Sequence, residues 1–138
     1  MTDMLEFGRK ALAAQGFSRL LGTELTAFDD GRAELALTLR DDHRQQNGFA
    51  HGGVIAYLAD NALTYAGAAA LGGVAVLTLE MKINYLRPGI GERLVARSEV
   101  ISAGKRQAVC QARVYALQGG AEKLIAAAQG TIMAVEDR

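Results

Sequence analysis

Long alternating runs fill the second half of this chain, and the breaks between them are short. Leu77, Leu79, Met81, Ile83 and Tyr85 alternate with Thr78, Glu80, Lys82 and Asn84 until Arg87-Pro88-Gly89. Further runs follow at about 92–102 and 106–117, linked by Ala103-Gly104-Lys105, and a last one at about 122–135 follows Gly119-Gly120. A period of two is the signature of half-buried strands. Parallel pairing needs a crossover of about a dozen residues or more, so three or four such strands on short links are expected to be antiparallel neighbours.

The chain between 53 and 70 obeys another period. It has no proline and is rich in alanine and leucine, which favour a helix. At 100° per residue Ile55, Leu58, Ala62, Tyr65 and Ala69 share one face, suited to lie on a sheet. Gly53, Ala56, Tyr57, Asp60, Thr64 and Gly67 share the other. Ahead of this helix, Leu25 and Ala27 lead into Asp29-Asp30-Gly31, after which Ala33, Leu35, Leu37 and Leu39 alternate with Arg32, Glu34, Thr38 and Arg40, a hairpin with one wet face. Residues 3 to 15 form a short peripheral helix closed by Gly16. The expectation is an α+β fold in which an antiparallel sheet of five or six strands wraps one long helix. With 138 residues and no internal repeat, one domain over 1–138 is expected, with 1–16 as its peripheral N-terminal helix.

Charge and cysteine usage exclude several functions. Fifteen basic residues balance fifteen acidic ones, which argues against a dedicated nucleic-acid binder. A single cysteine, Cys110, permits no internal disulfide and no cysteine-built zinc site, and its strand pattern makes it core. MTDMLEFGRK is a poor signal peptide, and the apolar run 66–79 holds three glycines and is too short to span a bilayer. A soluble cytoplasmic protein without membrane partners is expected. His43, in Asp41-Asp42-His43-Arg44, reads as surface loop.

The chemistry centres on Asp60, an acid within an otherwise apolar helix. Carboxylates are almost never fully buried unless paired or at work. Upstream, the polar loop Gln45-Gln46-Asn47-Gly48 leads to His51-Gly52-Gly53 at the helix start, where free N–H groups and the dipole favour negative charge. The Gly52 amide is therefore a candidate oxyanion donor, and without a side chain it lets a carbonyl approach. Asp60 is the candidate nucleophile or general base, with Thr64 one turn on as its aide. His51 takes a supporting part at the helix entry. His51 and Asp60 do not share a helix face, so they make no metal pair. Gly52 and Asp60 are eight residues apart, about 12 Å along one helix, too far to touch the same carbonyl. If the catalytic roles hold, two helices must lie antiparallel across a twofold axis, giving two equivalent sites between subunits.

The pattern H-G-G-V-x-x-x-L-x-D over 51–60, with Y-L-R-P over 85–88, resembles the hotdog-fold acyl-CoA thioesterases, in particular the phenylacetate-pathway and 4-hydroxybenzoyl-CoA branches. The likeness runs from about Gly22 to Val135. It implies that the Gly52 amide polarises the thioester carbonyl and that Gln45 assists; many such relatives have asparagine there, and Asn47 stands two residues away as the alternative amide. It implies that Asp60, glutamate in other relatives, acts from the partner subunit with Thr64 beside it. It further implies an acyl-CoA substrate, a homodimer that pairs into a dimer of dimers, and no metal or prosthetic group, coenzyme A being part of the substrate. Gly53, Arg87, Lys105 and Arg106 are the candidate substrate and CoA contacts, Arg93 being a further cation at a strand start. Acyl length is expected to depend on the surroundings of Tyr57, Leu63, Ala66 and Gly67. Two rivals remain: a hydratase or dehydratase on the same fold, with His51 as acid and base, and a non-catalytic acyl-CoA-binding regulatory module.

Overall fold

In the computed structural model, which describes residues 3–135, Asp3 caps α1 (Met4–Ala14) by accepting a 3.1 Å bond from the Leu5 N–H. The expected domain ends, 1–2 and 136–138, lie outside the described residues. Gly16 does not close the helical segment as the spacing suggested. It opens a second helix, α2 (Gly16–Leu21), and the break falls at Gln15, whose backbone is extended. The closing glycine is Gly22, at φ 78°, a left-handed conformation that a side chain would resist.

A hairpin follows, β1 (Glu24–Asp29) and β2 (Arg32–Thr38), turning where Asp30-Gly31 predicted it. A 3₁₀ turn (Asp41–His43) and a polar loop lead into α3 (Gly52–Ala70). Four long strands complete the chain: β3 (Val76–Tyr85), β4 (Arg93–Ala103), β5 (Gln107–Gln118) and β6 (Ala121–Ala134). All pair antiparallel in one six-stranded sheet of order β1-β2-β4-β5-β6-β3.

β4, β5 and β6 are consecutive neighbours, as short links demand. β3 and β4 are not. Between them the Leu86 N–H bonds the Ile125 carbonyl at 2.7 Å and the Glu92 N–H bonds the Leu117 carbonyl at 2.9 Å. The connection thus crosses the ends of β6 and β5, leaving β3 on one edge and β4 beside β2. A link of seven residues is too long for a hairpin turn and long enough to step over two strands.

The sheet bends around α3 at bulges in β1, β3, β4 and β6, each of which adds local twist. Ile55, Leu58, Ala62 and Tyr65 are buried against it as the helical period predicted, while Ala69 is partly exposed. Fully burying a leucine such as Leu58 or Leu63 contributes about 1.5–3 kcal/mol. Gly67 departs from its expected open face. A Cβ there would lie 2.6 Å from Ile132, so the glycine marks where helix and sheet come closest. Leu63 and Ala66 are likewise core, so these three line no open tunnel.

Candidate active site

Residues 43–51 close on themselves as a small hairpin. The His51 N–H bonds the His43 carbonyl at 2.8 Å, Gln45 N–H bonds Phe49 at 2.9 Å, and Gly48 N–H bonds Gln45 at 3.0 Å. The turn delivers the chain to the start of α3, where His51 is the N-cap: its Nδ1 accepts from the Gly53 N–H at 2.8 Å. The Val54 and Ile55 N–H groups bond the His51 carbonyl at 3.0 and 3.3 Å. Three of the four first-turn donors are thereby taken. The Gly52 N–H has no acceptor among the described residues, and the helix dipole adds to its pull on negative charge.

Gly52 lies in an open cleft of about 350 Å³ lined by Gln45, Phe49, Ala50, Ile55, Tyr85 and Leu86, with Arg87, Pro88 and Gly89 completing its wall. The cleft is apolar except for Gln45, Arg87 and the tyrosine hydroxyl. Tyr85 stands over Gly52, its hydroxyl donating to the Gly52 carbonyl at 3.3 Å. Gln45 accepts through Oε1 from the Asn47 backbone N–H at 2.5 Å, which leaves its NH₂ group as the donor. Asn47 is exposed and does not line the cleft.

Asp60 stands two turns along α3, half-buried and outside the cleft. Its side-chain partner is Thr78, whose hydroxyl donates to Oδ1 at 2.6 Å. Thr64, expected beside Asp60, instead donates to the Asn61 carbonyl at 2.7 Å. This is the back-bonding that helical threonines make when a carbonyl of the preceding turn is within reach. Thr78 escaped the sequence because of the β3 bulge at Leu79. Strict alternation puts Leu77 and Leu79 inside with Met81 and Ile83. The bulge reverses the first part of the strand, leaving Leu77 and Leu79 62% and 49% exposed and aiming Thr78 at α3.

The rest of the small-residue face is divided. Tyr57 and Asn61 are covered by α2: Tyr57 donates to Ser18 at 2.6 Å, Asn61 to Gln15 at 3.2 Å, and Phe17 packs edge-on against the Tyr57 ring at 5.2 Å. Gly53, Ala56, Asp60 and Thr64 remain partly or fully exposed.

A family model described as the thioesterase superfamily matches residues 47–123 of the 138. The chain belongs to the thioesterase superfamily. It is 32% identical over 108 residues to acyl-coenzyme A thioesterase 13 of Homo sapiens, covering 76% of this chain and 77% of that one. It is 31% identical over 93 residues to acyl-coenzyme A thioesterase PaaI of Escherichia coli, covering 67% and 65%. A thioesterase family protein from Silicibacter pomeroyi superposes with a TM-score of 0.91 at 34% identity, over 96% of this chain and 98% of that one. The α+β hotdog architecture expected from the sequence is thus the one this superfamily chain has.

Within this thioesterase-superfamily chain the candidate CoA cations separate. Arg87 lines the cleft, its guanidinium anchored by a 2.9 Å bond to the Leu124 carbonyl. Lys105 and Arg106 lie in the β4–β5 turn, where the Ala134 N–H bonds the Arg106 carbonyl at 2.8 Å. Ala134 pairs with Val76 at the start of β3, whereas Tyr85 ends it, so this turn is at the opposite end of the sheet from the cleft. Arg93 pairs with Glu24 and Thr38. His43 is not surface loop: it is 2% exposed. Burial, then the Arg40 charge, hold its imidazole below the usual histidine range. Cys110 is core as expected, its thiol pushed up to about 11 by burial. No helix among the described residues is long and apolar enough to cross a membrane, and none of their His, Cys, Asp and Glu side chains group as metal ligands.

Proposed function

We propose that this protein hydrolyses an acyl-CoA thioester to a carboxylic acid and CoA, at two sites shared between the subunits of a homodimer. The observation that carries this reading is the unused N–H of Gly52, a residue that lines the cleft at the head of α3 and is backed by the helix dipole. It can receive the negative charge that forms on a thioester oxygen under attack, an interaction worth about 2.7–4 kcal/mol of barrier. The Gln45 NH₂ group, on the same cleft, is the second donor. Arg87 at the wall offers charge for a CoA phosphate.

The attacking group is Asp60 of the partner. Water adds to the carbonyl carbon, its proton passing to the Asp60 carboxylate, or the carboxylate itself adds, and the acyl-aspartyl mixed anhydride left when CoA departs is then hydrolysed. Either way the C–S bond breaks and CoA leaves as thiolate. Thr78, bonded to Oδ1, orients the carboxylate and leaves Oδ2 for the reaction. The dimer is supported by two features. Gly52 and Asp60 lie on one straight helix about 12 Å apart, so no single chain brings them to one carbonyl. And β3, ten residues long, is an edge strand with one side of its backbone unpaired; pairing with its twofold copy would set two α3 helices antiparallel. Further pairing into a dimer of dimers is the assembly the family likeness implies.

The hydratase alternative asks His51 to shuttle protons, yet its Nδ1 is held as the helix cap. Thioester cleavage followed with a thiol-reactive dye over aryl- and alkyl-CoA substrates, wild type beside Asp60→Asn, tests the reading. Turnover in the wild type that falls at least about a hundredfold in the variant is expected. Full turnover in Asp60→Asn would remove Asp60 from the chemistry, and none with any thioester would favour a binding module.

A further inference from the structure

We propose that His43, which no step of the reaction touches, is a positioning residue whose buried imidazole holds both oxyanion donors, Gln45 and Gly52, at their working places. The inference rests on the thioesterase reading of the cleft for its consequence and on geometry alone for its mechanism.

His43 sits at the base of the 43–51 hairpin. Its carbonyl receives the His51 N–H at 2.8 Å, one residue before Gly52, and the turn two residues above it carries Gln45. Its imidazole fixes that base. Nδ1 accepts from the Arg40 N–H at 3.0 Å, while the His43 N–H returns to the Arg40 carbonyl at 2.9 Å, a reciprocal pair that locks the 3₁₀ turn to the end of β2. Nε2 is wholly buried and lies toward the Leu21 carbonyl at the end of α2 without completing a hydrogen bond.

A nine-residue surface loop has no need of this group. A leucine would fill similar space without the penalty of burying an imidazole, which is about 1–3 kcal/mol for each polar atom left unsatisfied. What the imidazole supplies, and leucine cannot, is a single acceptor at fixed reach. It ties the loop base to Arg40, itself anchored on α2 through its guanidinium at the Leu20 carbonyl, 2.9 Å away. The oxyanion donors are then referred to rigid elements on both sides, as a donor placed to within a fraction of an ångström requires.

The test compares His43→Leu, which keeps bulk and removes the acceptor, with His43→Asn, whose Oδ1 replaces Nδ1. In His43→Leu, kcat should fall about tenfold or more while KM for acyl-CoA stays within about threefold, because only transition-state contacts are displaced. The ¹⁵N–¹H signal of the Gly52 amide should shift and broaden. In His43→Asn, kcat should stay within about threefold of wild type with the Gly52 signal near its original place. Equal kcat in the two variants, or a His43→Leu protein that loses only melting temperature, would overturn the proposal. Should His43→Leu not fold, His43→Gln, whose acceptor lies one bond further out, takes its place and must fall below His43→Asn. If the wild type cleaves no thioester, the functional reading fails, but the Gly52 signal in the variants still decides whether His43 positions it.

Discussion

Replacing Gly52 by alanine separates folding from chemistry. Gly52 is the first residue of α3 and its backbone is not in the left-handed region, so alanine fits the conformation. The nearest atoms to the added methyl would be those of the Tyr85 ring and hydroxyl at 3.6–3.9 Å, ordinary contact distance. Alanine is a better helix former than glycine by up to about 1 kcal/mol in a helix interior and by less at the first position, so the melting temperature should hold or rise slightly. Gly52 and Tyr85 both line the cleft, so on the proposed reading the same methyl crowds a thioester carbonyl that approaches the Gly52 amide. Alanine keeps the N–H, so the expected loss is that of a donor barred from the carbonyl, up to about 10²–10³-fold in kcat. The assay is thiol release read with a thiol-reactive dye. Cys110, buried with its thiol pushed up to about 11, contributes no thiolate to the signal. A Gly52→Ala protein of unchanged stability whose kcat stays within about threefold of wild type would refute the assignment of this amide.

Two further outcomes follow from single contacts. Thr78→Val deletes the 2.6 Å bond to Asp60 with little change of shape; a hydrogen bond to a charged group is worth about 1.5–3 kcal/mol, so kcat should fall about 10–100-fold and return in Thr78→Ser, and equal loss in both variants would deny the hydroxyl a role. Stability should decline as pH drops through the ordinary histidine value of 6.5, because His43 titrates lower when folded: the unfolded chain takes up the proton first, and stability present above that value is lost below it. A second decline belongs below the ordinary glutamate value of 4.5, where Glu122, held low by its hydrogen bond from Arg97, loses a stabilised carboxylate. Denaturant titrations across this range, on wild type and His43→Asn, should show the first decline only in the wild type; the same slope in both would contradict it.

Periodicity made the architecture legible. The 3.6-residue stripe of α3 and the two-residue alternation of β4 to β6 depend on residues near in sequence, and both appear in the structure within one or two residues. Gly52 was legible for the same reason, since a glycine ahead of a helix has a free N–H by geometry alone. What escaped depends on events that local patterns do not encode. The bulge at Leu79 reverses half of β3 and makes Thr78, not Thr64, the partner of Asp60. Strand order across the seven-residue link was beyond reach too, since its length argues against a tight hairpin but does not say which strands it crosses. His43 reads as loop beside two aspartates, and only the docking of α2 reveals it as buried. Gly67 looks like part of an open face until Ile132 is seen against it.

Mixing two dead variants tests most directly whether two chains share each site. Gly52→Ala and Asp60→Asn homodimers are each expected to be inactive; unfolding and refolding them together in equal amounts gives hybrids in about half of the dimers, and each hybrid retains one site with both native groups. Recovery of about one quarter of wild-type activity is the result a shared site predicts. No recovery, with hybrids shown to form, would mean that both groups act within one chain and that the antiparallel pairing of α3 is not the catalytic arrangement.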